Sequence, residues 1–238
     1  LATSSAASDV YKRQGMIYPN MATTLGYIFT DATLSSSVLN HVLKNNIKTT
    51  FNAISCDGDT STNDMVSIFS TSKVNHPEIK KYSDSRLKNF NKAVHEVLLN
   101  LAKQVVSDGE GASKFISINC INCRTEKDAK NISFKIANSL LVKTAIAGED
   151  PNWGRVAMAI GNSDSKINEQ KLSISFGPYK IYHKGSLYKF YDEEKVMDYM
   201  KGQSIEIKVD IGQGNKKFKS YTMDLTKKYI EINADYRT

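Results

Sequence analysis

This chain has little of what hydrolytic and metal-dependent enzymes commonly draw on. Its four histidines, His41, His76, His95 and His183, stand apart in sequence without an obvious acidic partner, so a Ser-His-Asp constellation has little support. No GxSxG elbow, HExxH pair or P-loop occurs. Three cysteines, Cys56, Cys120 and Cys123, are too few for a disulfide scaffold and point to a reducing compartment, hence a cytoplasmic setting. Cys120 and Cys123 have CxxC spacing, but they lie in the alternating run "KFISINCINC". No second pair or nearby histidine completes four ligands, so they read as strand or strand-end cysteines, and no metal is expected. Long apolar runs are also missing. None approaches the ~18–20 residues that a bilayer span needs, which argues against a membrane partner.

Acidic residues are in the minority, and the net charge is +7. The lysines responsible are scattered, the densest groups being as short as "NKKFK" and "IKKYSDSRLK". No stripe interleaves aromatics with arginine as a single-strand groove would require, so solvated faces explain the charge better than a nucleic-acid partner. At 238 residues, with 40% hydrophobic and 24% charged content, the chain can bury a core without disulfides.

The first fourteen residues, "LATSSAASDVYKRQ", are small, polar and aperiodic, and lack the apolar segment of a secretory signal. They read as a processing or fusion scar, or a mistranslated end, joined to the protein proper at Gly15. Beyond them, Val38, His41 and Val42 predict a short helix over about 35–45, capped by serines. "FNAIS" and "MVSIF" read as strands around the turn-rich "CDGDTSTND", and "VNHPEIKKYSD" as a loop. Leu87, Phe90, Val94, Val97, Leu98, Leu101 and Val105 recur at three and four, predicting a helix over 85–107 capped by Ser83 or Asp84. Strand "KFISINC" follows, then a helix over 126–141. After "GEDPNWGR" the chain reads as β-rich: "KLSISF", "KIYHKG", a short helix near 194–200, "SIEIKVDIG", "SYTMDL" and "YIEINA", with Gly212-Gln213-Gly214-Asn215 as a hairpin signal. The class is mixed α/β, with no linker long enough to force a domain cut.

With histidine chemistry set aside, threonine remains. A Thr hydroxyl needs a base, and the chain can supply one without histidine if the peptide bond before that Thr is cut. The new α-amine would titrate near ~7.7–8.0 and sit beside the hydroxyl. A small residue before Thr and a turn around it would assist the attack on the preceding carbonyl, and Ala22-Thr23 after Pro19-Asn20 meets both needs.

Five blocks, "GMIYPNMATTLGYIFTDA", "DGDTSTND", "SDGEGASKFI", "LVKTAIAGEDPNWGR" and "INADYRT", occur in order from Gly15 to Thr238. Together they resemble the ornithine acetyltransferase family, which includes the bifunctional glutamate N-acetyltransferases of arginine biosynthesis. The resemblance covers that family's β-chain and the last residues of its α-chain. It implies a layered, N-terminal-nucleophile-like α/β fold of the DmpA type, with residues 15–22 ending the α-chain and 23–238 forming the catalytic β-chain as one structural unit. It also implies self-cleavage between Ala22 and Thr23. The freed Thr23 then takes the acetyl group of N-acetylornithine and passes it to glutamate in a ping-pong cycle. Acetyl-CoA is a possible co-substrate, and no bound cofactor is implied.

By the same resemblance Thr23 is the nucleophile and part of the substrate site, and Glu110, Asn233 and Thr238 bind substrate. Lys12 stands eleven residues before Thr23, the offset of the family's substrate lysine, although Arg13-Gln14 replace the family's Gly-Ser. The oxyanion donors would come from a Thr-Gly pair in an α-chain absent from this sequence, and two such pairs of chains would form an α2β2 assembly. An aminopeptidase or amidase of the same fold is the nearest alternative, and a basic binding module a more distant one. On the residues alone, "DGEG" could equally be a glycine helix stop. Asp57, Asp59 and Asp64 fail EF-hand spacing and are better suited to turn geometry, and Trp153 and Arg155 to packing and an ion pair.

Overall fold

The computed structural model describes residues 17–18, 25–60 and 65–235. They form two compact units that divide between Val105 and Val106, in the last turn of a 21-residue helix, where the sequence led us to expect a single one.

In the first unit, strands β1 (Leu25–Thr30) and β2 (Met65–Ser70) pair in parallel, from Leu25 opposite Met65 to Thr30 opposite Ser70. Helix α1 (Ser36–Asn46) begins where the serines predict, with the Ser35 hydroxyl accepting from the Val38 amide at 3.4 Å. "FNAIS" is not a strand. Phe51–Ala53 make a tight helical turn, and Phe51, Ala53 and Ile54 are buried. Thr50 fixes this turn, its hydroxyl donating to Asn46 O at 2.9 Å. Helix α2 (Leu87–Ser107) follows an Asx turn in which Asp84 accepts from the Arg86 amide at 3.0 Å.

The second unit is built on a six-stranded sheet. Its strands are β3 (Phe115–Cys123), β4 (Ser173–Phe176), β5 (Tyr179–His183), β6 (Ser186–Leu187), β7 (Ser204–Asp210) and β8 (Lys216–Met223), in the order β6-β5-β4-β7-β3-β8. Strand β3 runs parallel to β7 and antiparallel to β8, and so separates them. The segment 212–215 is therefore not a hairpin turn but a connection that steps over β3. The turn residues were read correctly; a turn signal does not say which strands lie beside each other.

Alternation decides the sheet's faces. Ile116, Ile118 and Cys120 of β3, Ile205, Ile207 and Val209 of β7, and Ile174 and Phe176 of β4 share one fully buried face. Each buried Ile or Val stabilises by about 1.5–3 kcal/mol relative to exposure. Helix α3 (Glu126–Ala137) covers this face through Ala129, Ile132 and Ile136, and the Thr222 hydroxyl donates to its last carbonyl, Ala137 O, at 3.3 Å. The helix expected over 126–141 breaks at Asn138. Ser139 then caps a new helix, α4 (Leu140–Ala147), by accepting from Val142 N. Sequence reading missed α5 (Trp153–Gly161) altogether. Its signal was Pro151-Asn152, with the Asn152 side chain accepting from Arg155 N at 3.1 Å. Helix α6 (Glu193–Met200) lies where predicted. "YIEINA" is helical too, within α7 (Lys227–Ala234). The apolar alternation there is real, but Asp224 and Thr226 turn the chain off the edge of β8, and an isolated segment meets its backbone hydrogen bonds internally.

Candidate active site

Of the predicted site residues, Lys12, Ala22, Thr23 and Thr238 lie outside the described residues, and Glu110 and Asn233 lie within them. The latter two meet. The Asn233 side-chain amide donates to Glu110 Oε2 at 2.8 Å and also to Tyr229 O at 3.0 Å. A hydrogen bond across 123 positions is set by tertiary structure.

The turn that carries Glu110 is fastened at three points. Gly111 has φ +70, and a Cβ there would stand 2.5 Å from the Tyr229 amide nitrogen, so only glycine lets the turn lie this close to α7. The Thr226 hydroxyl donates to Gly111 O at 2.7 Å. Just beyond, fully buried Asp224 accepts from the amides of Ser113 (2.8 Å) and Lys114 (2.9 Å) and from the Ser113 hydroxyl. A buried carboxylate is costly unless charge-assisted hydrogen bonds surround it, and here three donors do so. "DGEG" is thus both a helix stop and a rigid mount that holds a partly exposed carboxylate against α7.

Lys114 extends this scaffold. The residue is 8% exposed, and its ammonium reaches Glu149 Oε1 at 3.0 Å, Met200 O at 2.9 Å and Gly202 O at 3.1 Å. Glu149, in the left-handed region at φ 60, opens the "GEDPNWGR" block by pairing with it. Trp153 is a packing residue, stacked on Tyr182 with centroids 4.9 Å apart. Arg155 is not in an ion pair among the described residues. It donates instead to Leu141 O at 2.9 Å and to the Thr144 hydroxyl at 3.3 Å, tying α4 to α5. Sequence reasoning missed Asp224, Lys114 and Thr226 as positioning residues, because their partners are too far along the chain for any local motif to reveal.

The "DGDT" block has a separate task. Asp57 Oδ1 accepts from the amides of Ile17 and Asp59, both at 3.0 Å, and the Thr60 hydroxyl donates to Tyr18 O at 3.1 Å. An isolated antiparallel bridge joins Ile17 to Thr60. This loop grips the chain a few residues before Ala22 in sequence, which is turn geometry; Asp64 lies outside the described residues. Among the described residues no group of three His, Cys, Asp or Glu side chains is placed to hold a metal ion.

The histidines pair with hydroxyls, backbone and a ring rather than carboxylates. His76 accepts from Thr33 N at 3.0 Å, His95 meets the Thr49 hydroxyl at 3.2 Å, His183 meets the Ser173 hydroxyl at 3.0 Å, and His41 lies against Tyr82. The cysteines are buried free thiols. Burial, then the charges of Asp128 and Asp210, push the Cys123 thiol up to about 11, and burial pushes Cys120 higher still, which makes both poor nucleophiles.

The layering of sheet and helices places the chain in the N-terminal-nucleophile-like α/β class. A crystal structure of the arginine biosynthesis bifunctional protein ArgJ from Bacillus halodurans superposes with a TM-score of 0.84 at 36% identity, covering 88% of this chain and 98% of that one. A model of the ArgJ family matches residues 4–238, and the chain belongs to that family. Arginine biosynthesis bifunctional proteins named ArgJ from Bradyrhizobium diazoefficiens and Mesorhizobium japonicum are 47% and 45% identical to it, over 95% and 99% of its length. The alignments cover 56% and 58% of those two proteins, so the chain spans a little over half the length of the relatives it matches.

Proposed function

We propose that this chain carries the nucleophile of a self-cleaving acetyltransferase of arginine biosynthesis, which moves an acetyl group from N-acetylornithine to glutamate. The observation that carries this reading is the meeting of Glu110 and Asn233, two residues the family resemblance assigns to substrate, in a chain matched along almost its whole length by one family.

In this reading the Thr23 hydroxyl attacks the Ala22 carbonyl and converts the amide to an ester. Water hydrolyses the ester, leaving a carboxylate on Ala22 and a free α-amine on Thr23. That amine takes the hydroxyl proton as Thr23 attacks the acetyl carbon of N-acetylornithine, and returns it to the departing ornithine amine. Glutamate then attacks the acetyl ester. Glu110 offers its carboxylate to a substrate ammonium, and Asn233 orients that carboxylate through the bond it already makes. Thr238 and Lys12 would contact substrate from outside the described residues. Acetyl-CoA is an alternative acetyl donor, no metal takes part, and the setting is the cytoplasm.

The oxyanion donors belong to a partner α-chain, and two such pairs form an α2β2 assembly. Support for a partner comes from the first unit. Phe29, Met65 and Phe69, on its two-stranded sheet, are 43%, 44% and 45% exposed, an apolar surface that a further layer would cover. The test is mass spectrometry of the full-length protein with an assay for acetyl exchange. A new amino terminus at Thr23 and exchange between N-acetylornithine and glutamate are expected. Exchange by an uncut protein would overturn the mechanism, and hydrolysis of peptide amides in place of exchange would favour an aminopeptidase.

A further inference from the structure

Away from Glu110 and Asn233, the second unit has a cavity of about 430 Å³ on the face of the sheet opposite its core. Strand register builds it. Ser175 of β4 stands opposite Lys208 of β7 on one side and Lys180 of β5 on the other. One step along, Ser173 stands opposite Asp210 and His183. Lys171 and Lys184, each at the end of a strand connection, complete the wall.

Four lysines and one carboxylate therefore line the cavity, an excess of three positive charges, with the Lys180 ammonium also 5.2 Å from the Tyr188 ring centroid. The carboxylate is already engaged. Asp210 Oδ1 accepts from the Asn122 side chain at 2.9 Å and from Gly212 N at 3.0 Å. Some lysines elsewhere have carboxylate partners, among them Lys114 with Glu149, Lys195 with Asp192, Lys201 with Asp198 and Lys219 with Glu206. Among the described residues no carboxylate lies within ion-pair distance of Lys171, Lys180, Lys184 or Lys208. Burial, then Lys180 and Lys184, lower the His183 pKa against the opposing charge of Asp210, which favours its neutral form.

We infer that this cavity is a binding site for a small molecule bearing a di- or triphosphate-type anion, with the lysines supplying charge and Ser175 supplying a hydroxyl donor. A single carboxylate would leave most of the charge unmet, and planar carboxylates are better matched by arginine, of which the lining has none. The volume suits a small ligand rather than a polymer groove. This site is independent of the acetyl-transfer reading and would stand if that reading fell.

The experiment is calorimetric titration of the full-length protein with inorganic pyrophosphate at low ionic strength, with acetate in parallel. Saturable binding of one pyrophosphate per chain is expected, weakened about tenfold by Lys180→Gln or Lys208→Gln and unchanged by Lys195→Gln, whose lysine lies outside the cavity. Lys208 is exposed, so its variant should fold even if Lys180→Gln did not, and melting curves will check this. No saturable binding, or equal binding by the folded Lys208→Gln variant, would overturn the site. Acetate binding as tightly as pyrophosphate would overturn the phosphate assignment.

Discussion

The two units meet the same demand, to cover a sheet, in opposite ways. In the second, β3, β4 and β7 bury every inward residue, and α3 closes the layer with Ser133 and Ser220 joined hydroxyl to hydroxyl beneath it. In the first, β2 has no fully buried residue, and Phe29 and Phe69 stack on each other at 5.3 Å while remaining almost half exposed. Parallel strands are ordinarily covered on both faces, and a two-stranded parallel sheet is a poor structure on its own. The difference teaches that the second unit's core is supplied by its own segment. The first unit, as far as it is described, leaves this apolar face exposed.

The comparison breaks first at Thr23. Thr23→Ala in the full-length protein should abolish both self-cleavage and acetyl transfer, and a processed band on a gel from this variant would remove the nucleophile from the first unit. Next in size is the core. Ile118→Ala should cost about 2–5 kcal/mol in denaturant unfolding. Phe69→Ala, in this chain by itself, should stay within about 0.5 kcal/mol, as exposed positions do. Comparable losses at the two sites would erase the contrast, and a larger cost for Phe69→Ala in the full-length protein would sharpen it.

Gly111→Ala comes third. It strains a left-handed residue and pushes a methyl group into the Tyr229 amide, so about 1–3 kcal/mol should be lost, together with substrate affinity as Glu110 shifts. A fall in turnover of about tenfold is expected for Glu110→Gln or Asn233→Ala, with processing intact. Unchanged steady-state kinetics would leave their hydrogen bond a structural one.

The smallest effect is in pH. The Cys123 thiol is raised from its ordinary 9.0 to about 11, so folding favours the neutral form. Its contribution to stability should be complete below about pH 9 and fade as pH rises to about 11, because the unfolded chain ionises first. Alkylation of the native protein at pH 8 should accordingly be slow, and fast labelling of Cys123 would contradict its burial.

Helices α1, α2 and α6 and strands β2, β3, β4, β5, β7 and β8 were legible because each carries its own period or cap, whereas β1 and β6 went unread. The failures share one cause. "FNAIS" and "YIEINA" have strand composition but no strand to pair with, and 212–215 has hairpin chemistry in a place where β3 intervenes. Helix α5 hid inside a block whose glycines and proline looked like a loop. In the site, Glu110 and Asn233 could be named from family motifs, but not the bond between them, nor Asp224, which holds the turn from 111 positions away.

Residue patterns narrowed the chemistry to weigh, because no sequence motif pairs a histidine with an acid or gathers four metal ligands. Periodicity likewise determined most helices, since an apolar stripe and a cap are local facts. Tertiary structure alone decided which strands became neighbours, and so which side chains share a face. Placing Asn233 on Glu110, and four lysines around one cavity, depends on register and crossover, which are settled only when distant segments compete to bury the same apolar surface.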